Sequence, residues 1–368
     1  MIEEEAVDFD TESNEAVVDE TERDDSVAPV QYNITSFGAD YDVEGLVRRL
    51  NRDDILIPTF QRAYVWSISE ASRFIESLLL GLPVPGVFMA RESETNRLLV
   101  IDGQQRLKSL QFFVNGYFNP DPQSARQRVF KLTKVQKRFE GFTYDTLSED
   151  DRRFLDDNII HATIIKQESP KDDDTSIYHI FERLNNSGRK LTPQQIRVAI
   201  YHGRFMDLIK DLNAYERWRA IFGKSSPSLK DQELILRFLA LYHSAEKYER
   251  PMNEFLNNYT LWARQRSAEF RTECQVLFTR TIDLVYETIG SRAFRPERAI
   301  NAAVFDSVMV GLSRNLFSDT LVDPEVMLTR YQNLLTDTEY MQLVSQSTSD
   351  EKNVETRLRM ATTAFSVG

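Results

Sequence analysis

Cysteine is all but missing from this chain. Cys274 is the only one, so no internal disulfide can form and no cysteine-rich zinc site can be built. A lone thiol behaves as a small apolar group, and Cys274 is expected in the core. Histidine is nearly as scarce: His161, His179, His202 and His243 share no ligand-like spacing with each other or with the cysteine, and are expected to be structural. Long apolar runs are lacking too, since none approaches the roughly 20 residues that cross a bilayer. The N-terminus is acidic where a secretory signal would be basic and then apolar. The expectation is a cytoplasmic protein without a membrane partner.

What is present is ordinary for a soluble globular protein: 41% hydrophobic and 28% charged residues over 368 positions, enough chain for two domains. Charge is distributed unevenly. Residues 1–30 carry twelve Asp or Glu against Arg23 alone, a net of −11, which leaves about −1 of the chain's −12 for the rest. A segment so charged and so poor in aromatics cannot bury enough apolar surface to offset its chain entropy, so residues 1–29 are expected to be a disordered tail. Such a tail is either a solubilising extension or an arm that mimics DNA or docks a partner. The nearly neutral remainder leaves room for a local basic patch.

Periodicity divides that remainder into an α/β region, 30–174, and an all-α region, 175–368. Strands are expected at Val30–Ile34, Ile55–Pro58, Val87–Ala90, Leu98–Ile101, Phe130–Phe142 and Ile159–Lys166. Helices are expected from Asp42 or Glu44 to Asn51, from Ser69 to Leu80 with Gly81 as the stop, from Leu107 to Val114, and over Asp145–Asp157. Past Thr175 come a helix over Ile177–Leu184, another capped by Thr192-Pro193, and helices near 204–221, 229–245, 252–268, 274–289, 298–315, 323–334 and 350–364. The apolar stretch Leu234–Leu241 suits core packing and homo-oligomer contact equally.

Three polar clusters could carry chemistry. Asp102-Gly103-Gln104-Gln105-Arg106 sits where an apolar strand becomes a helix, a place where backbone N–H groups converge and the helix N-terminus favours an anion. Phosphate is the natural guest. Asp102 could hold a divalent metal or orient water, Gln104 and Gln105 could donate to phosphate oxygens, and Arg106 could neutralise developing charge. Lys108 and Ser109 follow on the same helix as further phosphate donors. The plainer alternative is a turn at Asp102-Gly103, a cap at Gln105 and a surface ion pair at Arg106. A second cluster, Gln61-Arg62-Ala63-Tyr64-Val65-Trp66, offers rings for a base to stack on and a guanidinium for phosphate; alternatively Trp66 is a lid over the core and Arg62 bridges loops. The third, Asn185-Asn186-Ser187-Gly188-Arg189-Lys190, either ends a helix or closes over the same ligand.

These clusters resemble a known family. Ile57-Pro58 with Gln61–Trp66, Leu79–Pro85, Val100–Leu107, and Phe181–Gly188 with Leu191-Thr192 and Ile196-Arg197 follow, in order, the signature of domain-of-unknown-function family 262 over about residues 45–205. The resemblance implies a ParB/sulfiredoxin-like fold whose Asp-Gly-Gln-Gln-Arg segment binds and hydrolyses nucleotide. It implies membership among the N-terminal halves of GmrSD-type, modification-dependent restriction enzymes and other phage-defence proteins. Such enzymes usually add a C-terminal HNH-type nuclease, which needs histidines; here none follows His243, which argues against one in the last third. The combined expectation is an α+β protein in which Asp102, Gln105 and Arg106 are catalytic and Asp102 holds Mg²⁺. Gln61, Arg62, Tyr64, Trp66, Gly103, Gln104, Lys108, Ser109, Asn185, Asn186 and Gly188 would bind a nucleoside triphosphate. The function is then either a hydrolase of nucleotide, with DNA as a further substrate, or a non-catalytic sensor of nucleotide or modified DNA that relies on a partner nuclease.

Overall fold

The structure is a computed structural model and describes residues 17–18, 33–57, 64–92, 95–121, 124, 126–169, 178, 180, 191–316 and 323–366. The chain divides into two units, Ala28–Tyr201 and Met1–Val27 with His202–Gly368. The break read from the periodicity, at 174/175, lies inside the first of them. The expected disordered tail lies outside the described residues except at Val17–Val18, which form a short strand, β1, in the second unit.

The first unit is built on a five-stranded mixed sheet. Along the chain come β2 (Asn33–Asp42), α1 (Val43–Asn51), β3 (Ile55–Leu56), α2 (Ile68–Leu79), β4 (Val87–Arg91), β5 (Leu98–Asp102), α3 (Gln104–Val114), α4 (Glu149–Asp156), β6 (Ile159–Ser169) and α5 (Pro193–Ile200). The sheet order is β2-β6-β4-β5-β3. β2 runs antiparallel to β6 and β4 antiparallel to β5, while β6 with β4 and β5 with β3 are parallel. An apolar run without alternation suits a strand covered on both faces, and Leu98, Leu99, Val100 and Ile101 of β5 are all buried.

Local chemistry sets the helix starts. The Asp42 carboxylate accepts from the Gly45 N–H to open α1. Ser67 and Glu70 form a reciprocal capping box on α2, which begins one residue before the expected Ser69. Thr192 and Gln195 do the same for α5, with Pro193 in the first turn. The apolar faces of α1, α2 and α3 meet in one core with Val87, Met89, Val100, Ile160, Ala162 and Ile164 of the sheet.

Two expectations are corrected here. The strand expected at Val30–Ile34 is described as Asn33–Asp42 and runs eight residues past Ile34, because residues with little alternation of their own are held by pairing along the length of β6, while residues 30–32 lie outside the described residues. Phe130–Phe142 is not a strand: Phe130, Leu132 and Phe139 plug the core singly while the backbone closes turns such as Leu132 N–H to the Phe142 carbonyl and Gly141 N–H back to Leu132.

The second unit is helical: α6 (Arg204–Asn213), α7 (Glu216–Phe222), α8 (Lys230–Ser244), α9 (Met252–Arg264), α10 (Ala268–Thr288), α11 (Ala302–Leu316), α12 (Pro324–Thr336), α13 (Thr338–Leu343) and α14 (Glu351–Phe365). Between α10 and α11, β7 (Ile300–Asn301) pairs in parallel with β1. Leu234–Leu241 is buried inside this unit, so core packing accounts for the run. Cys274 is buried as expected, and burial pushes its thiol up to about 12. Charge lies in this core too. Arg237 of α8 donates from its Nη2 to the Asp306 carboxylate of α11 at 2.6 Å, and Arg357 of α14 approaches the same carboxylate at 3.6 Å. Among the described residues no helix is long and apolar enough to cross a membrane.

Candidate functional site

The junction of β5 and α3 has the geometry that its sequence demands. Gly103 adopts φ +99°, where a side chain is strained, and a Cβ there would lie 2.5 Å from Val87 Cγ1. Only glycine fits this turn. No side chain caps α3, and among the described residues no acceptor meets the N–H groups of Gln104, Gln105 and Arg106, which leaves the end open to an anion. Asp102 stands at the exposed end of β5 with half its side chain in solvent.

The neighbouring side chains are less free than their types suggest. Arg106, one turn on, donates from Nη2 to Asp102 at 2.8 Å and from Nη1 to the Pro85 carbonyl at 2.8 Å. Its guanidinium therefore ties the junction to the Leu82–Gly86 connector, and only 15% of the side chain stays exposed. Gln105 turns its Oε1 to the N–H groups of Val65 and Trp66 at 3.1 and 3.2 Å, so the second polar cluster is latched to the first turn of α3. Among the described residues its Nε2 and the Oε1 of Gln104 are buried without a hydrogen-bond partner.

Tyr64 and Ser109, both expected as ligand contacts, also meet. The two hydroxyls are 2.6 Å apart, Ser109 is fully buried, and the Tyr64 ring packs edge-on against Phe112 and Phe118. Burial pushes the Tyr64 phenol up to about 12. Both side chains are committed to the core, because the apolar face of α3 needs the ring more than solvent does. Trp66 is half-buried edge-on to Phe74, a partial cover of the core as the plainer alternative had it. Lys108 is half-buried, and loss of solvent lowers its pKa.

Tyr64, Trp66, Gly103, Gln104, Gln105 and Ser109 are thus gathered around one helix start. Gln61, Arg62, Asn185, Asn186 and Gly188 lie outside the described residues. Residue types alone could not reveal the two latches, Gln105 to the 65–66 backbone and Arg106 to Pro85, since their partners are 39 to 40 and 21 residues away. Among the described residues no three His, Cys, Asp or Glu side chains gather as a metal-binding group. Asp102 brings one carboxylate, which suits a divalent ion carried in on phosphates better than one held by protein ligands alone.

Fold and junction together define a mixed-sheet α/β domain with an anion-ready strand-to-helix turn. Residues 43–202, from the first residue of α1 to just past α5, match the family model described as GmrSD restriction endonuclease, N-terminal domain. The match covers less than half of the chain and supports a GmrSD-type family and a component of a restriction-type defence system. A search of curated proteins found no match.

Proposed function

We propose that the first unit is a nucleotide-binding and nucleotide-hydrolysing module of ParB-like type within a restriction-type defence system. The observation that carries this reading is the open N-terminus of α3, preceded by a positive-φ glycine and flanked by the exposed Asp102. A polyphosphate would seat on the N–H groups of Gln104, Gln105 and Arg106, where the helix dipole and fixed amides stabilise negative charge. Asp102, reached from solvent, would orient the attacking water or meet a Mg²⁺ ion arriving with the nucleoside triphosphate. That ion supplies neutralisation of phosphate charge. Gln105 and Arg106 act here as positioning residues: one fixes the 64–66 segment, the other fixes Asp102 itself.

The test is thermal stabilisation by each nucleoside triphosphate with Mg²⁺, followed by turnover on the same preparation. One nucleotide is expected to raise the melting temperature, and Asp102→Ala to lower turnover by on the order of 10²-fold while leaving the protein folded. Equal turnover by parent and variant would remove the hydrolase reading.

A second reading is favoured by one observation. Arg106 is held by Asp102 and Pro85 and Gln105 by the 65–66 backbone, so both side chains are engaged in the frame of the junction. The unit would then sense nucleotide or modified DNA and leave cutting to a partner nuclease. Saturable binding with no product, in the same pair of measurements, distinguishes it.

A further inference from the structure

The second unit carries a strand edge whose occupant is the chain's own acidic arm. Val17 and Val18 pair in parallel with Ile300 and Asn301, and Val17 is buried to 6% exposure. The receiving strand is anchored through Asn301. The Asn301 N–H donates to the Phe294 carbonyl, its side-chain Nδ2 donates to the Val344 carbonyl at 2.8 Å, and its Oδ1 accepts from the Val304 N–H at 3.0 Å. A cavity of about 440 Å³ opens beside it, lined by Arg298, Asn301, Ala303, Val344, Ser345 and Thr348 among others.

The loop that leads into β7 is basic. Arg292 and Arg298 are exposed with no ion-pair partner among the described residues, and Arg295 is half-buried with its guanidinium on the Ile221 carbonyl. The pKa of Arg295 is lowered, by burial first and by the charge of Arg292 second, so the two arginines lie close enough to repel. Glu297 is the one acidic exception on the loop. In the sequence Val17-Val18 is bracketed by Glu12 and Glu15 on one side and Asp19, Glu20 and Glu22 on the other, within a segment of net −11.

We propose that β7 with Arg292 and Arg298 is a docking slot for an extended, acidic, valine-bearing strand, filled in cis by residues around Val17-Val18. The backbone pairing and the valine anchor give the contact its register, as in other strand-addition complexes. Attraction between the arm and the arginines gives it strength that salt screens, since the Debye length shrinks from about 10 Å to about 3 Å between 0.1 and 1 M. The arm is thereby a salt-labile latch on the helical unit.

The test uses the full chain and a fluorescein-labelled peptide of residues 11–25. The tethered arm competes at an effective concentration on the order of millimolar, so free peptide is expected to bind the parent at least about tenfold more weakly than a Val17→Asp, Val18→Asp chain whose slot is vacated. Binding to the vacated chain should weaken severalfold on adding Arg292→Gln and Arg298→Gln, both exposed and harmless to folding. It should also be lost for a peptide carrying the two aspartates. In parallel, hydrogen exchange over residues 297–304 should quicken in the Val17→Asp, Val18→Asp chain relative to the parent. Equal peptide binding to parent and vacated chain, binding to neither, indifference to the arginines, or unchanged exchange would each overturn the proposal.

Discussion

Each unit buries an arginine, Arg197 in the first and Arg357 in the second, but the two units differ in where their carboxylate–guanidinium pairs stand. In the α/β unit the core around α1, α2 and α3 is apolar, and the charged pair that matters, Asp102 with Arg106, stands at the rim with the carboxylate half in solvent. In the helical unit Asp306 is completely buried between Arg237 and Arg357, the latter donating also to the Thr348 carbonyl. Burial lowers the Arg357 pKa, with Asp306 opposing. A rim pair can exchange its partner for a ligand; a buried triad cannot, because removing one member strands charge in a low-dielectric interior. The contrast separates a unit whose ion pair stands open to solvent from one whose ion pairs are sealed between helices.

The largest effect should come from the triad. Asp306→Ala removes the carboxylate that both guanidiniums face and is expected to cost about 3–5 kcal/mol in urea unfolding of the helical unit. Replacing Arg237, Asp306 and Arg357 together by Met, Leu and Met should restore much of that. A loss below about 1 kcal/mol for Asp306→Ala would erase the contrast. Next comes Gly103→Ala, which forces a side chain into positive φ and against Val87; about 2–4 kcal/mol is expected, measured on the α/β unit's transition in the full chain.

Gln105→Ala should cost about 1–3 kcal/mol, since two N–H groups lose their acceptor, and hydrogen exchange at Val65 and Trp66 should accelerate. Tyr64→Phe should cost about 1 kcal/mol at neutral pH. Its signature is alkaline. The Tyr64 phenol is raised from 10.0 to about 12, so the stability it contributes is present in full below pH 10 and is lost as pH rises toward 12. The variant should lose part of that slope, with Tyr144 of the same unit, also raised to about 12, among the groups that keep the rest. The smallest effect on stability is expected for Asp102→Asn, at most about 1 kcal/mol for an exposed pair, although turnover should fall.

Much of the site's frame could be read from residue types. An unbroken apolar strand, a glycine and a helical period gave β5, its turn and α3, and Thr192-Pro193 announced the start of α5, whereas the Ser67-Glu70 box of α2 went unread. Where pairing is remote the reading failed. β2 has weak alternation and exists because β6 lies beside it, while the real alternation of Phe130–Phe142 belongs to a looped segment whose rings plug the core one at a time. Arg237 and Asp306 each interrupt an apolar helix, a visible oddity, but nothing local pairs them across the 69 residues between them.

By itself the sequence determined the strand-glycine-helix junction, the caps and the division into a sheet-bearing and a helical part, because each depends on contacts within about one helical turn or on an unbroken local period. Tertiary structure alone decided which polar atoms remain available. It turned Arg106 toward Pro85, Gln105 toward the 65–66 backbone and Tyr64 into the core, leaving Asp102 exposed beside a helix start that no described side chain caps. A side chain's chemistry is local, but its freedom depends on what the fold brings within hydrogen-bonding distance.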